Sequence, residues 1–120
     1  MGIRFIAIWD REDEWYNIET IDISSKELKN VVGVYILWVK SDINKVIKIG
    51  QGDICEMLLE YKNNPDILGY GKDGVTNVTW AVFSEKLLDG VEAYLNYKLK
   101  PSYCNKQPID FLIPVNLPCD

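Results

Sequence analysis

The sequence predicts an α+β domain with a small, mostly antiparallel three-stranded sheet flanked by helices and an extra N-terminal β-hairpin. Two observations indicate this class. Runs rich in β-branched and aromatic residues at 33–40, 45–50 and 75–84 are typical of strands. Apolar residues recur at helical spacing over 54–61 and 88–99. At 120 residues, a single domain is the simplest interpretation.

Residues 1–29 are predicted to form a hairpin extension ahead of a core at 30–106. The apolar run 3–10 is a strand candidate, and four consecutive charged residues then interrupt it. In the run 15–24, isoleucines alternate with polar residues, as expected of a half-buried strand. Pairing of these two runs gives the predicted hairpin.

Residues 33–40, GVYILWVK, form the predicted central strand. Both alternating faces of this run are apolar, which indicates a strand covered on two sides. The polar stretch SDIN at 41–44 is predicted to turn the chain. The run KVIKIG at 45–50 then returns as an antiparallel partner, with Lys48 between two isoleucines.

A helix is predicted to begin at Asp53. Asp53 and Glu56 have the three-residue spacing of a capping box, in which each side chain satisfies a free backbone donor of the other. The helix has a buried stripe at helical spacing, formed by Ile54, Met57, Leu58 and Tyr61. The sequence Asn-Asn-Pro at 63–65 ends it, and a loop with three glycines follows, in which one more helical turn fits after Pro65.

The last elements are a third strand, a second helix and a tail. The strand is predicted at 75–84 and the helix at 87–99, ending before Pro101. The apolar face of this helix is formed by Leu88, Val91, Leu95 and Leu99. Residues 107–120 carry three prolines and are predicted to pack as an extended tail.

Composition disfavours several classes of protein. The net charge is −5, and the first 30 residues hold seven acidic against four basic side chains. A negative field opposes the approach of nucleic acid, although a local basic patch is compatible with it. Three cysteines without a CxxC pair and the lack of histidine disfavour a zinc site. Without a signal-peptide pattern or an apolar run of about 20 residues, a cytoplasmic location without membrane contact is predicted.

Four short motifs follow one another along the core. GVY at 33–35 precedes KIG at 48–50, Glu92 lies in VEAYLNYKLKP, and Asn105 follows KPSYC. Their order and spacing resemble the GIY-YIG nuclease superfamily over about two-thirds of the chain, residues 30–106. The resemblance implies a compact three-stranded antiparallel sheet flanked by helices. It matches Glu92 to the metal-binding glutamate of the family and Asn105 to the asparagine that commonly closes the core.

Two positions depart from the family pattern. Lys48 stands where the second motif has a tyrosine, and Met57 stands where the family has a catalytic arginine. If chemistry survives, the resemblance implies Mg²⁺-assisted hydrolysis of a nucleic-acid phosphodiester. Glu92 would hold the metal, Tyr35 would orient or deprotonate water, and Lys48 would partly replace the missing cation. A deprotonating role requires a cation that lowers the pKa of Tyr35. The two departures indicate a degenerate site.

Each candidate also has a structural explanation. Tyr35 can fill the core, and Lys48 can be a solvated lysine on a strand. Met57 lies on the apolar stripe of its helix, which needs no further explanation. Glu92 can form a capping pair with Asp89, yet the helical wheel places it beside the apolar face, where a carboxylate needs a partner or a cation.

Further basic and polar residues around the core are candidates for contacts with nucleic acid. These are Lys62, Lys98, Lys100, Asn105 and Lys106. Solvated lysines explain the same pattern. We therefore expect a GIY-YIG-like domain that acts on or binds nucleic acid through a degenerate site. The alternatives are a non-catalytic module that binds nucleic acid or protein, and an acidic partner of a basic protein.

Overall fold

The computed structural model describes residues 7–9, 11, 15–24, 28–40, 44–69, 74–102 and 112–118. Its strands and helices follow one another as β1 (Tyr16–Asn17), β2 (Val32–Lys40), β3 (Lys45–Asp53), α1 (Ile54–Lys62), α2 (Pro65–Gly69), β4 (Val75–Ala81) and α3 (Glu85–Leu99). The predicted α+β class is confirmed. Runs with β-branched residues formed strands, and runs with helical spacing formed helices.

The sheet has four strands in the order β1-β4-β2-β3, and every neighbouring pair is antiparallel. β2 is hydrogen-bonded on both sides, and all of its residues except the first and the last are buried. This confirms the central position that its two apolar faces predicted. The predicted three-stranded sheet is therefore present as β4-β2-β3, with one additional strand.

The additional strand lies in the second run of the predicted N-terminal hairpin, which itself stays a prediction. β1 pairs with β4, with Tyr16 opposite Val78, and is only two residues long. The side chain of Asn17 accepts a hydrogen bond from the backbone of Glu19 at 2.8 Å, and its carbonyl accepts one from Ile21 at 2.9 Å. Such local bonds favour a turn over a continued strand. Most of the run 3–10 lies outside the described residues.

The first part of the chain contacts the tail. The amide of Asn116 bonds the backbone of Ala7 in both directions, at 2.6 and 3.0 Å. Trp9 donates from its indole to the carbonyl of Asn116 at 2.9 Å. Further along, the backbone of Ile113 donates to the carbonyl of Gly90 in α3 at 3.0 Å. The described part of the tail, residues 112–118, is therefore part of the packed domain.

The predicted limits of α1 are confirmed. The side chain of Asp53 accepts a hydrogen bond from the backbone of Glu56 at 3.0 Å, and Asn63 ends the helix. The predicted stripe is buried, as Ile54, Met57, Leu58 and Tyr61. α2 supplies the single turn expected after Pro65.

α3 begins at Glu85 after Ser84, two residues earlier than predicted, and ends before Lys100, whose φ of 47° is left-handed. Asp89 and Glu92 therefore lie inside the helix and cannot form a capping pair at its start. Asp89 instead accepts a hydrogen bond from the side-chain amide of Gln51 at 2.6 Å. The structural explanation of Glu92 as a cap is wrong.

Two apolar cores lie on opposite faces of the sheet. One packs α1 and α2 against residues such as Tyr35 and Leu37 of β2. The other packs α3 and the tail against residues such as Ile36 and Trp38. The domain thus has three layers, with β3 at one edge of the central sheet. Within the part of the chain that the structure describes, none of the helices has the length and apolarity needed to span a bilayer.

Candidate functional site

Tyr35 lies in the middle of β2, directly opposite Gly50 of β3. Its side chain is on the α1 face and is only 6% exposed. The glycine makes room for this ring, because a Cβ at position 50 would press against the hydroxyl and ring atoms of Tyr35. Residues from the first and second motifs therefore meet by direct packing.

Tyr61 of α1 is the partner of Tyr35. The two hydroxyls share a hydrogen bond of 3.0 Å, and the ring centroids are 5.9 Å apart. Sequence reasoning assigned Tyr61 only to the core stripe. Tyr61 follows Met57 by four residues, so the two side chains lie on the same face of the helix. This spacing places Tyr61 beside the position that the resemblance matches to an arginine.

Lys48 lies on the same side of the sheet as Tyr35. It is opposite Leu37, two residues along β2 from Tyr35, and its Nζ is 5.3 Å from the centroid of the Tyr61 ring. An ammonium group at that distance from a ring is attracted by the π electrons. The structure therefore brings Tyr35, Tyr61 and Lys48 together.

The pKa of Tyr35 is raised. Burial is the largest cause, followed by the hydrogen bond to Tyr61 and the negative charges of Glu92 and Glu60. This is opposite to the expectation that a cation lowers the pKa of this phenol. Since tyrosine already titrates near 10 in water, the hydroxyl stays protonated at neutral pH. It can orient a water molecule or a phosphate oxygen, but it is not a base.

Glu92 approaches from α3, on the other face of the sheet. It is 3% exposed, which confirms the position beside the apolar stripe that the helical wheel predicted. Its negative charge is among the smaller causes of the raised pKa of Tyr35. Tyr35 and Lys48 thus share one face of the sheet and Glu92 lies on the other, so the structure does not bring the three predicted residues together on one open face.

Magnesium fits this site only in part. Among the described residues, no group of three or more histidine, cysteine, aspartate or glutamate side chains gathers as a metal site. Mg²⁺ commonly binds through one or two carboxylates, with waters and substrate phosphates as the other ligands. Glu92 supplies one carboxylate, but it is only 3% exposed, so the folded site leaves little room for an ion that arrives with its waters and a phosphate.

The arginine position is filled by a core side chain. Met57 is 5% exposed and packs in the same cluster as Tyr35 and Tyr61. Arg11 lies 4.3 Å from the ring centroid of Trp15, which contacts Trp38 on the α3 face, away from Tyr35. Arg4 lies outside the described residues. Within the described ranges, no guanidinium group takes the place of the missing arginine.

The lysines predicted to contact nucleic acid separate into two groups. Lys62 donates to the backbone carbonyls of Glu19 and Ile21, at 3.3 and 3.1 Å, and so fastens the turn after β1 to α1. Lys98 and Lys100 are exposed at the end of α3. The other two candidates, Asn105 and Lys106, lie outside the described residues.

Comparison of the chain with protein-family models, with curated proteins and with solved structures finds no match. The site is therefore interpreted from its own geometry.

The tyrosine pair is expected to stabilise the fold as a unit. Tyr35→Phe and Tyr61→Phe should each lower the free energy of unfolding by about 1–2 kcal/mol, because each leaves a buried hydroxyl without its partner. The double variant should lose less than the sum, with a coupling of about 1 kcal/mol. Urea unfolding followed by circular dichroism measures all three. Strictly additive losses would show that the hydroxyls do not interact in solution.

Proposed function

We propose that this chain is a divergent GIY-YIG-like domain that binds nucleic acid and whose hydrolytic site is degenerate. The observation that carries the proposal is the arrangement around Tyr35. Residues of three motifs, Tyr35, Gly50 and Glu92, interact by packing or charge. The arginine position beside them is occupied by buried Met57.

The topology of the sheet supports the proposed GIY-YIG-like scaffold. The GVY strand is central and antiparallel to both the KIG strand and β4. α1 and the short α2 follow the second motif, and a helix that carries a buried glutamate follows the last strand. This is the order of elements on which the resemblance to nucleases rests.

The chemistry of the site supports degeneracy. Phosphodiester hydrolysis builds negative charge on the phosphate, and fixed cationic donors stabilise that charge. A thioether cannot do this, and removal of one such donor commonly costs about 10²-fold or more in rate. The raised pKa of Tyr35 also removes it as a general base. Both losses act on the same chemical step.

Any residual activity would depend on a small set of residues. As the resemblance implies, Glu92 would hold Mg²⁺ and Tyr35 would orient the attacking water, but only if the site opened, because both side chains are buried and lie on opposite faces of the sheet. The metal would polarise the phosphate and stabilise the departing oxygen. Lys48, held over the ring of Tyr61, would supply part of the missing positive charge.

A second candidate is a module that has kept the scaffold and binds a protein. The net charge of −5 favours it, because a negative field raises the cost of approaching a phosphate backbone.

Binding and cutting should be measured on the same preparation. We expect labelled single-stranded or duplex DNA or RNA to bind in a salt-dependent manner, measured by fluorescence anisotropy. Gel assays with Mg²⁺ or Mn²⁺ should show no cutting. A lack of binding to every oligonucleotide would contradict the nucleic-acid proposal and leave the protein-binding module.

Two variants that each remove one carboxylate test whether the hydrolytic site is degenerate. Glu92→Gln removes the buried carboxylate, and Asp89→Asn removes an exposed one a turn earlier on the same helix. If the wild type cuts, and cutting is lost in Glu92→Gln but kept in Asp89→Asn, the site is catalytic and degeneracy is wrong.

A further inference from the structure

Basic side chains gather where β2 ends and β3 begins. Lys40 is the last residue of β2, and Lys45 is the first residue of β3, opposite Val39. Both are exposed. The antiparallel register therefore holds two positive charges at one end of the sheet.

The end of α3 reaches the same place. The backbone of Ser102 donates to the carbonyl of Val46 in β3 at 3.1 Å. That bond places the last turn of α3, with Lys98, beside the start of β3. Lys100 follows in the left-handed turn that ends the helix, and both lysines are exposed. We call Lys40, Lys45, Lys98 and Lys100 together the basic end.

Charge is distributed unevenly over the domain. Among the described residues 38–40, 44–48 and 94–102, which surround the basic end, no side chain is acidic. Acidic side chains lie at the opposite end of the sheet, where β3 finishes and α1 and α3 begin, as Asp53, Glu56, Glu85 and Asp89. In a chain with a net charge of −5, the described part of this end thus carries lysines and no acidic side chain, while Asp42 and Asp73 lie outside the described residues.

We propose that the basic end docks the phosphate backbone of a nucleic-acid strand. This inference rests on the proposed nucleic-acid function and names the surface that carries it. Lysines from three elements give several positive charges at one end of the sheet, which suits a ligand with repeated phosphates. Tyr97, 60% exposed and next to Lys98, offers an aromatic face on which an unpaired base can stack. The two features together favour a single strand over a duplex.

The test removes three positive charges without changing the backbone. The variant K40Q/K98Q/K100N keeps polar side chains at exposed positions. Asparagine suits position 100, where φ is 47°, because it tolerates left-handed backbone better than most residues. Binding of a labelled single-stranded DNA is measured by anisotropy between 50 and 200 mM salt. We expect the magnitude of the slope of log K against log salt to fall by about 2, or about 0.7 per lysine on a single strand.

The matched control removes positive charge from the other end of the molecule. Lys29 lies just before β2 and Lys86 in the first turn of α3, and both are exposed. The variant K29Q/K86Q should keep the slope of the wild type. Tyr97→Ala should weaken single-strand binding by about tenfold with little change in slope. Thermal unfolding by circular dichroism shows whether each variant is folded.

The outcomes separate the two proposals. Binding by the wild type with an unchanged slope in the folded triple variant would overturn the basic end as the docking surface and leave the proposed function standing. An equal decrease of the slope in K29Q/K86Q would also overturn it. The decrease would then depend on the net charge of the protein and not on one local surface. If the wild type binds neither single strands nor duplexes, both proposals fail.

Discussion

Replacing Met57 by arginine is expected to destabilise the domain strongly, although the resemblance to GIY-YIG nucleases matches this position to an arginine. The side chain at position 57 is 5% exposed and packs among apolar neighbours of α1 and β2. A guanidinium there would lose most of its hydration in an apolar cluster. We expect a loss of about 3 kcal/mol or more, a large share of the stability of a small domain. Urea unfolding followed by circular dichroism measures it.

The control for this variant is Met57→Leu. It conserves volume and apolar character, so the loss should be below about 1.5 kcal/mol. A folded Met57→Arg protein that gains Mg²⁺-dependent cutting would contradict both the core assignment of Met57 and the degeneracy of the site. That result would show that α1 can move its side chain at position 57 toward a bound phosphate.

Gly33→Ala is expected to have the second large effect, on the pairing of β2 with β4. A Cβ at position 33 would press on the carbonyl oxygen of Ala81 and lie 3.0 Å from the carbonyl carbon. These are backbone atoms, which cannot rotate away as a side chain can. The strands must separate beside the Val34–Ala81 pair. We expect a loss of about 3 kcal/mol in the free energy of unfolding, at the upper end of the cost of overpacking.

Two other glycines provide the comparison. A Cβ at Gly69 would meet nothing within 4 Å, so Gly69→Ala should be neutral or stabilising by about 0.5 kcal/mol. Gly50→Ala should be intermediate, because the atoms it meets belong to the side chain of Tyr35. Equal stability of Gly33→Ala and Gly69→Ala would show that β2 and β4 are not packed this closely.

The packing roles of Gly33 and Gly50 limit what the GVY and KIG motifs indicate about function. Gly33 of GVY allows close strand packing, and Gly50 of KIG makes room for Tyr35. Both glycines serve packing in this chain, whether or not it cuts nucleic acid. Under the proposed function, the residues that bear on nuclease activity are instead Tyr35, Glu92 and the side chain at position 57.

Local features were predictable because their causes lie close together in the chain. The capping of α1 by Asp53 depends on residues three apart, and the buried stripe of that helix depends on its 3.6-residue period. The burial of Glu92 followed from its angle on the helical wheel of α3. Two apolar faces were enough to assign β2 to the centre of the sheet.

Features that depend on distant partners were not predictable in this way. The alternating isoleucines after residue 15 predicted a strand, but did not indicate that β1 pairs with β4, about sixty residues away in the chain. The hydrogen bond between Tyr35 and Tyr61 joins a strand to a helix, and neither periodicity nor capping specifies it. The raised pKa of Tyr35 likewise needs burial and the charges of Glu60 and Glu92.

The amino-acid sequence by itself therefore determined the α+β class, the central strand and most helix limits. Hydrophobic period and capping are encoded within a few turns of chain. The tertiary structure alone decided that Met57 and the Tyr35 hydroxyl are enclosed together, and that lysines from β2, β3 and α3 share one end of the domain. The burial of a side chain and the electrostatic potential around it depend on all of its neighbours in space. Many of these neighbours are distant in the chain and come together only when it folds.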